Sequence, residues 1–484
     1  MTQMDCGALR LAAKGPGFQV SNRAALQPIL EDEAGRLISS PQALFDMTLA
    51  YGSPLNIVLP QALGRNADKF RAVLRRHDVQ CGIFYGAKVN KSPALVRAAV
   101  DAGVGVDVSS LYEMRDALRA AIDPTRLCAT GPAKTRVFHM ALIANAALIS
   151  VDSVEELADL EAVAREIAPS RPVRVLLRYR PRSQRASRFG MSEDALRHCL
   201  DRLAHARGAF SFEGFHFHLG GYDYESRAQA VRELIRFIDS ARTGGLDPKM
   251  IDIGGGLPAR YVQHEAYEAF LERQHGGHYR NGKVPASFYP YGGAIGADEW
   301  LDRFLASPCV DGRSIATYLN ANALTLAIEP GRSLADQSAV SVFRIARVKS
   351  LSAEEVVVFV EGSSFSACET WFGSEFLVDP IHIPACEVEG VGADASTSAP
   401  TRGWIAGHSC LDEDVVTNRL LHFVSRPKPG DLLVYANTAG YQMDLLENAF
   451  HRHPLPRRIS VTYDATGGMD ISPDDRMEKW NDFD

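Results

Sequence analysis

Three short motifs carry side chains with complementary chemistry. Lys88 follows an apolar segment in FYGAKVNKS, glycines occupy positions 254–256 in DIGGGLP, and Glu329 and Arg332 lie in IEPGRSL. A lysine amine can form a Schiff base with an aldehyde, and consecutive glycines let backbone N–H groups approach a phosphate closely. An arginine binds phosphate oxygens, and a carboxylate can keep a ring nitrogen protonated. Together the motifs predict a site for a phosphorylated aldehyde that carries a nitrogen ring.

Each motif follows an apolar segment, and from about residue 81 such segments alternate with amphipathic ones. Eight alternating units over roughly 250 residues predict a closed (β/α)₈ barrel. A doubly wound sheet is disfavoured because no GxGxxG follows the first strand. The eight predicted strands, which are short, apolar and separated by stretches of helical periodicity, cover residues 81–87, 104–108, 126–130, 147–151, 173–178, 212–217, 250–253 and 324–328.

A barrel brings the carboxyl ends of its strands together at one mouth, where catalytic groups gather. Lys88, the glycines at 254–256 and Glu329 all follow strands, so we expect them to meet there. A lysine, a phosphate-binding loop and a carboxylate in one place indicate pyridoxal 5′-phosphate (PLP) as the cofactor. The sequence therefore predicts a PLP-binding protein, and it offers no metal site.

The chain outside the barrel pattern predicts a second domain. After residue 332 the helical rhythm stops and short β-rich runs follow, which indicates a C-terminal β domain over residues 333–484. The barrel is predicted over residues 51–332, and residues 1–50 are expected to join the β domain. The seventh connection of the barrel, residues 257–323, is too long for one helix and predicts an insertion beside the mouth. The predicted fold class is thus α/β plus all-β.

The composition favours a protein that acts on a small molecule. The 484 residues are 46% hydrophobic and 23% charged, and the formal net charge of −7 provides no basic surface for nucleic acid or an anionic membrane. No apolar run has the roughly 18 to 20 residues of a membrane span, and no signal peptide is recognisable at the N-terminus, so a cytoplasmic protein is expected. The eight cysteines form no CxxC pair, so neither a disulfide framework nor a zinc site is predicted.

Ten motifs in order resemble a known enzyme family. They are YGSPLNIV, FYGAKVNKS, GVGVDVSSLYEM, VDSVEEL, SRFGM, GFHFHLGG, DIGGGLP, EPGRSL, GHSC and AGYQMDLLENAF, and they run from about residue 51 to residue 450. The set resembles the fold-type III PLP-dependent decarboxylases, which include diaminopimelate and ornithine decarboxylases, and EPGRSL and GVGVDVSS are closer to the diaminopimelate branch. The resemblance implies an alanine racemase-like barrel, a β domain and a head-to-tail homodimer whose active sites use both subunits.

The resemblance also implies roles for individual residues. Lys88 is expected to form the Schiff base, His218 to stack on the cofactor ring and Glu329 to pair with the pyridine nitrogen. Cys410 in GHSC is expected to act across the dimer interface as the acid that protonates the substrate carbon after carbon dioxide leaves. The residues expected around the phosphate are Gly254, Gly255, Gly256, Arg332 and Tyr441, and those expected to support the lysine and the ring are Asp107, Glu113 and Arg178. Ordinary strand-end ion pairing remains an alternative for Glu113.

The substrate pocket departs from the family pattern. Leu411 stands where the family has an acidic residue that binds a distal amino group, and Asp412 could replace that residue only if the loop register shifts. Glu361 lies where ornithine-type enzymes carry a substrate-binding aspartate, so one contact to a distal cation is still possible. The predicted substrate-binding residues are Arg332, Glu361, Leu411, Asp412 and Tyr441.

These observations predict PLP-dependent decarboxylation of an amino acid with an altered side-chain pocket. Racemisation or another PLP reaction on the same barrel is an alternative, which GHSC and the large β domain disfavour. A non-catalytic PLP-binding or regulatory protein is a third reading. It is disfavoured because such a protein has no chemical need for intact Lys88, His218, Glu329, Cys410 and Tyr441 together.

Overall fold

A computed structural model of the chain describes residues 9–11, 26–206, 208–310, 312–366, 369–385, 401–444, 451 and 453–474. The strands in these residues are β1 (Leu9–Leu11), β2 (Leu55–Val58), β3 (Cys81–Gly86), β4 (Gly105–Val108), β5 (Leu127–Ala129), β6 (Leu148–Val151), β7 (Val173–Arg178), β8 (Phe210–His216), β9 (Met250–Asp252), β10 (Thr325–Ile328), β11 (Ala339–Ser350), β12 (Glu355–Val360), β13 (Ile381–Ile383), β14 (Thr401–Ala406), β15 (Val415–Phe423), β16 (Leu432–Ala436), β17 (Arg457–Tyr463) and β18 (Met469–Pro473). The α-helices are α1 (Asp32–Ile38), α2 (Pro41–Tyr51), α3 (Gln61–Arg76), α4 (Pro93–Asp101), α5 (Leu111–Arg119), α6 (Arg136–Ala144), α7 (Val154–Ile167), α8 (Glu193–His205), α9 (Tyr224–Thr243), α10 (His264–Arg273), α11 (Ala297–Ala306) and α12 (Ile315–Ala321). Short 3₁₀ helices cover Ala87–Val89, Pro124–Arg126, Arg182–Gln184, Gly276–His278, Ser364–Ser366 and Glu369–Phe372.

The chain divides into two compact units. The barrel unit comprises residues 64–258 and 295–334, and the β unit comprises the described parts of residues 1–63, 259–294 and 335–484. No helix in the described part of the chain has both the length and the apolar composition needed to cross a membrane.

The barrel unit contains a closed ring of eight parallel strands. Strands β3 to β9 pair in chain order, and β10 closes the ring between β9 and β3. The observed strand ends differ from the predicted ones by two residues at most. Apolar side chains that include Phe84, Cys128 and Leu176 form a buried cluster of strand residues, as expected for strands that are covered on both faces. The predicted fold class, a (β/α)₈ barrel with a separate β domain, is confirmed.

Polar caps define where the loops of the barrel mouth turn into helices. Ser92, Ser110 and Ser153 precede α4, α5 and α7, and each side-chain oxygen accepts a hydrogen bond from a backbone N–H of the first turn. Such caps stabilise a helix start by roughly 1 kcal/mol each. The loops that carry functional groups therefore have defined end points.

The β unit is built on a ten-stranded sheet. Its main path runs β1-β18-β17-β2-β11-β12-β14-β15, while β16 pairs with β11 and β13 pairs with β16. The long strand β11 joins β2 and β16 over its first half and β12 over its second half. Helices α1 and α2 contribute Leu37 and Leu44 to a core that also contains Leu55 and Val342.

Two segments that the sequence assigned to the barrel lie in the β unit. Residues 51–63 contain β2, which pairs with β11 and β17. The predicted insertion at 257–323 divides: residues 259–294 belong to the β unit, where the rings of Tyr261 and Tyr291 stack with centroids 4.8 Å apart, and the rest belongs to the barrel unit. Contacts between residues distant in sequence therefore place both segments outside the barrel.

Candidate active site

The carboxyl ends of six barrel strands carry nine of the predicted site residues. These residues lie at or just after the ends of β3, β4, β7, β8, β9 and β10, which are six of the strands in the closed ring. The residues are Lys88, Asp107, Arg178, His218, Gly254, Gly255, Gly256, Glu329 and Arg332. The barrel thus brings the predicted cofactor-binding groups to one mouth.

An ion pair holds Lys88 at this mouth. Lys88 lies in the 3₁₀ turn Ala87–Val89, and its Nζ is 3.1 Å from Oδ2 of Asp107. Asp107 is buried, and its Oδ1 accepts a 2.7 Å hydrogen bond from the hydroxyl of Thr130. The Lys88 side chain is 40% exposed, so its amine is accessible to a small molecule while Asp107 keeps it in place.

Glu113 forms its ion pair with the next lysine in the motif. Its Oε1 is 2.8 Å from Nζ of Lys91, and its Oε2 accepts a 2.7 Å hydrogen bond from the backbone N–H of Ser109. This is the strand-end pairing that was the alternative for Glu113. It ties the loop after Lys88 to the start of α5.

Arg178 is anchored by a carboxylate and an aromatic ring. Its Nη1 donates a 2.9 Å hydrogen bond to Asp152, and its guanidinium lies 4.7 Å from the ring centroid of Phe189. The second oxygen of Asp152 accepts a 3.1 Å hydrogen bond from the N–H of Gly190. Arg178 and Asp152 thus attach the SRFGM motif to the barrel and leave a fixed positive charge beside the mouth.

Two buried carboxyl groups lie at the ends of β9 and β10. Oδ1 of Asp252 accepts a 2.8 Å hydrogen bond from the N–H of Gly254, whereas Oδ2 of Asp252 and Oε1 of Glu329 have no hydrogen-bond partner among the described residues. Burial raises the pKa of Asp252 to about 7 and the pKa of Glu329 well above its usual range, and the negative charge of Asp107 adds to both. A cation or an N–H donor would therefore stabilise the ionised form of Glu329.

His216 lies beside these carboxyl groups and is a site residue that the sequence analysis missed. Its Nδ1 is 2.6 Å from the Ser150 hydroxyl, and its Nε2 is 3.7 Å from Oε1 of Glu329. Burial, followed by the charge of Arg178, lowers the pKa of His216 well below its usual value, so the ring is neutral. The motif HFHLGG contains two histidines, of which the first is His216. Because side chains alternate between the two faces of a strand, the sequence could have indicated that His216 points into the barrel.

His218 has a fixed orientation at the mouth. Its Nδ1 accepts a 3.1 Å hydrogen bond from the N–H of Gly255, which places the ring proton on Nε2. The residue is exposed, and desolvation by nearby barrel atoms together with the charge of Lys88 lowers the His218 pKa to about 3. A neutral, oriented ring suits the predicted role of stacking on a flat ligand.

The glycine loop after β9 has no space for side chains. A Cβ atom on Gly254 would lie 2.5 Å from Nδ1 of His218, and one on Gly255 would lie 2.6 Å from the carbonyl oxygen of Glu329. The N–H groups of Gly254 and Gly255 bind barrel side chains. Of the three N–H groups predicted to face a phosphate, that of Gly256 alone has no acceptor among the described residues.

Arg227 supports this loop, and the sequence analysis missed it as well. It lies in α9 with its side chain fully buried, and its guanidinium donates to the carbonyl oxygens of Leu219 at 2.8 Å, Gly221 at 2.7 Å and Asp223 at 3.0 Å. Burial lowers its pKa to about 10. A Cβ atom on Gly256 would collide with this guanidinium, so Arg227 and the glycine loop pack directly against each other.

The barrel mouth fits PLP. The partnerless oxygen of Glu329 can accept a hydrogen bond from a protonated ring nitrogen, and the surplus of buried carboxyl groups favours a positive charge there. Lys88 offers an accessible amine, and Gly256 and Arg332 offer donors for a phosphate. The residues present thus match the aldehyde, the ring nitrogen and the phosphate of the cofactor.

Two overlapping trios of donor atoms around Glu329 also have the spacing of a cation site. One trio is Asp107, Cys128 and Glu329, the other is His216, Asp252 and Glu329, and in each the donor atoms lie within 4.8 Å of one another. The sequence predicted no metal. Both trios share Glu329, the group that would accept a hydrogen bond from the ring nitrogen. A metal and PLP would therefore compete for Glu329.

The remaining predicted residues, Cys410, Leu411, Asp412, Glu361 and Tyr441, lie in the β unit. Cys410, Leu411 and Asp412 are exposed and follow one another in the loop between β14 and β15. Tyr441 is half-buried and follows β16. The loop presents a thiol, an apolar side chain and a solvated carboxylate in that order.

Most carboxylates around the Cys410 loop are bound within the β unit. Oε2 of Glu361 is 2.9 Å from Nε of Arg344, and Glu413 is 3.2 Å from Nη2 of Arg280. Asp414 is buried, and its two oxygens accept hydrogen bonds from Ser364 at 2.6 and 2.7 Å and from Ser409 at 3.0 Å. One oxygen of Glu361, the residue predicted to contact a distal cation, is therefore already paired with an arginine of the chain itself.

The sequence is similar to those of known proteins. Residues 62–276 match the model of the pyridoxal binding domain of pyridoxal-dependent decarboxylases. The chain is 54% identical over 450 residues to the uncharacterized protein y4yA of Sinorhizobium fredii, covering 93% of this chain and 96% of that protein. It is 24% identical to the probable chloroplastic diaminopimelate decarboxylase of Oryza sativa, over 66% of this chain and 59% of that protein.

A solved structure shows the same fold. The diaminopimelate decarboxylase of M. jannaschii in co-complex with L-lysine superposes with a TM-score of 0.66 and 16% sequence identity, over 88% of this chain and 91% of that one. The chain therefore shares its fold with that enzyme.

Proposed function

This chain belongs to the fold-type III PLP-dependent decarboxylases, and we propose that it releases carbon dioxide from an amino acid whose side chain does not end in an ammonium group. The proposal rests on two positions. Glu361 is paired with Arg344, and Leu411 lies where the family resemblance predicts an acidic residue. We infer a reaction related to that of the diaminopimelate branch from the family resemblance, and these two positions support a different side-chain pocket.

The barrel residues divide the work of binding and orientation. Bound PLP supplies the electron sink for the pair of electrons left when the carboxylate departs. Lys88 would hold the cofactor, with Asp107 orienting its amine. Oε1 of Glu329 would accept a hydrogen bond from the protonated ring nitrogen, His218 would cover the ring face, and Gly256 and Arg332 would bind the phosphate.

The β-unit residues would act on the substrate. Cys410 is exposed, and its thiol would deliver a proton to the substrate carbon after carbon dioxide leaves. Leu411, 38% exposed beside that thiol, offers apolar contact and no charge for a distal amine. Asp412 is exposed, and its carboxylate could still bind a cation. If the substrate carries a distal amine, Asp412 is the residue that would bind it.

Release of carbon dioxide from a panel of amino acids tests the proposal. The panel contains meso-diaminopimelate, ornithine, lysine and arginine, and L- and D-amino acids with apolar or carboxylate-bearing side chains. We expect kcat/KM for at least one apolar or carboxylate-bearing amino acid to exceed that for lysine and ornithine by at least tenfold. Preference for a diamino substrate would contradict the pocket assignment, and an inverted amino acid without carbon dioxide would indicate a racemase.

The Leu411→Glu variant and its matched control sharpen this test. Restoring a carboxylate at position 411 should raise kcat/KM for lysine or ornithine relative to the preferred substrate, because a carboxylate can form a charge-assisted hydrogen bond with the distal ammonium group of those substrates. Leu411→Gln has the same shape without the charge and should not. Equal selectivity of the two variants would remove position 411 from the substrate pocket.

We also propose a cytoplasmic homodimer in which Cys410 of one subunit serves the partner. The free state of all five described cysteines supports a reducing compartment. Mixing inactive Lys88→Ala subunits with strongly slowed Cys410→Ala subunits should raise activity to about a quarter of the wild-type value, because half of random dimers would contain one intact site. No recovery in a sample shown to contain mixed dimers would place both residues in the same subunit's site.

A further inference from the structure

The thiol of Cys410 has a partner for which the proposed function has no role. Sγ of Cys410 is 2.7 Å from Nε2 of His451, and the backbone N–H of Cys410 donates to the same nitrogen at 3.3 Å. Both residues are exposed, so the pair can exchange protons with water. His451 thus contacts the one atom that the proposed function uses as an acid.

Other titratable groups surround this pair without contacting the thiol. His453 lies edge-on to His451 with ring centroids 6.2 Å apart, and it stacks on His408 at 3.6 Å. Burial and the neighbouring His453 lower the pKa of His408. The nearby acids Asp414 and Glu361 are held by the protein contacts described above. Among the described residues, His451 is the titratable side chain within hydrogen-bond reach of the thiol.

We propose that His451 is a positioning residue that also supplies the proton used by Cys410. This inference rests on the proposed decarboxylation, and it adds a second proton-carrying group to it. A histidine suits this role because an imidazole is the side chain that ordinarily gains and loses a proton near neutral pH.

The proton balance is closed by water. Decarboxylation removes carbon dioxide and requires one proton at the substrate carbon. The Sγ–H bond of Cys410 breaks as the new C–H bond forms. Nε2 of His451, which accepts the hydrogen bond from the Cys410 backbone, then takes a proton from water and passes it to Sγ, so one solvent proton is consumed for each carbon dioxide released.

Alkylation of the holoenzyme measures the pair without relying on turnover. Iodoacetamide reacts with the thiolate, and mass spectrometry of the peptide that contains Cys410 gives the rate at that residue. His451→Gln keeps a polar atom near Sγ but cannot titrate, and we expect alkylation of Cys410 at pH 7 to slow about tenfold. His453→Gln is the matched control, because His453 does not contact the thiol, and its rate should equal that of wild type.

Turnover distinguishes proton supply from mere support of the loop. His451→Gln should lower kcat about tenfold with KM unchanged, and it should remove one ionisation from the pH profile of kcat. Combining His451→Gln with Cys410→Ala should cost no more than Cys410→Ala alone, because the two residues act as one unit. Additive losses, an unchanged pH profile or wild-type alkylation would each overturn the proposal.

The two proposals fail in different ways. If wild-type protein releases no carbon dioxide from any amino acid, the decarboxylase assignment fails, whereas the alkylation comparison still reports on the pair. If carbon dioxide is released but His451→Gln behaves like His453→Gln in both assays, the role of His451 fails alone.

Discussion

Replacing Arg227 by methionine should destabilise the barrel unit and weaken cofactor binding together. The guanidinium donates to three carbonyl groups in the loop at residues 219–223, and it packs against Gly256 on the other side. Methionine fills similar space but donates no hydrogen bond. The loop carbonyls and the glycine loop would then lose the group that holds them in register.

The size of the effect follows from two opposing terms. Three hydrogen bonds from a charged donor contribute about 1.5 to 3 kcal/mol each. Burial lowers the pKa of Arg227 from 12.5 to about 10, which corresponds to roughly 3 kcal/mol of desolvation that methionine avoids. The difference leaves a net loss of about 1.5 to 6 kcal/mol, and Arg227→Lys, which keeps the charge but fewer donors, should lose less.

Urea unfolding and PLP titration measure the two consequences. The matched control is Arg236→Ala in the same helix, because Arg236 is 42% exposed and pairs with Glu193 at the surface. Such a pair contributes at most about 1 kcal/mol, so the urea midpoint should shift little and the affinity for PLP should not change. If Arg227→Met shifts the midpoint no further than Arg236→Ala, the buried guanidinium does not organise the loop.

Two further predictions concern Asp252 at the end of β9 and Gly255 in the glycine loop. The Asp252 carboxyl has a folded-state pKa of about 7 and an unfolded value of about 3.9, so between these values the folded protein holds the extra proton and stability falls as pH rises. In protein stripped of cofactor, the free energy of unfolding in urea should be up to about 3 kcal/mol lower at pH 7 than at pH 5. Asp252→Asn should reduce this dependence on pH. An unchanged dependence in the variant would refute the raised pKa of Asp252. Gly255→Ala places a Cβ atom 2.6 Å from the Glu329 carbonyl, so the dissociation constant for PLP by absorbance titration should rise at least tenfold, whereas Gly64→Ala, with 3.9 Å to its nearest neighbour, should leave it unchanged.

The barrel could be predicted from local patterns because each of its strands and helices carries its own signal. The strand ends that position Lys88 and Glu329 follow directly from alternating apolar and amphipathic segments. Residues 51–63 and 259–294 could not be assigned in the same way, because β2 pairs with strands that begin almost three hundred and four hundred residues later. Their unit is decided by distant partners.

The site shows the same division between local and distant information. Lys88, Asp107 and the glycine loop occupy motif positions, so residue type and order were sufficient to find them. Arg227 lies in an amphipathic helix, where an arginine ordinarily faces solvent, and only the converging carbonyls of another loop explain its burial. The pairing of Glu361 with Arg344 was equally invisible, because it joins two strands through side chains.

The departures from the family pattern form one change in the β unit. Leu411 removes a carboxylate, Arg344 neutralises Glu361, and Arg280 from the segment 259–294 binds Glu413 while its guanidinium lies 5.1 Å from the Trp404 ring centroid. Leu411 stands in place of a negative charge, and Arg344 and Arg280 each pair with a carboxylate of the β unit. The barrel, by contrast, presents the groups that we propose bind PLP. If these assignments hold, we expect a decarboxylase whose substrate lacks a distal cation, with Asp412 as the exposed carboxylate left in the loop.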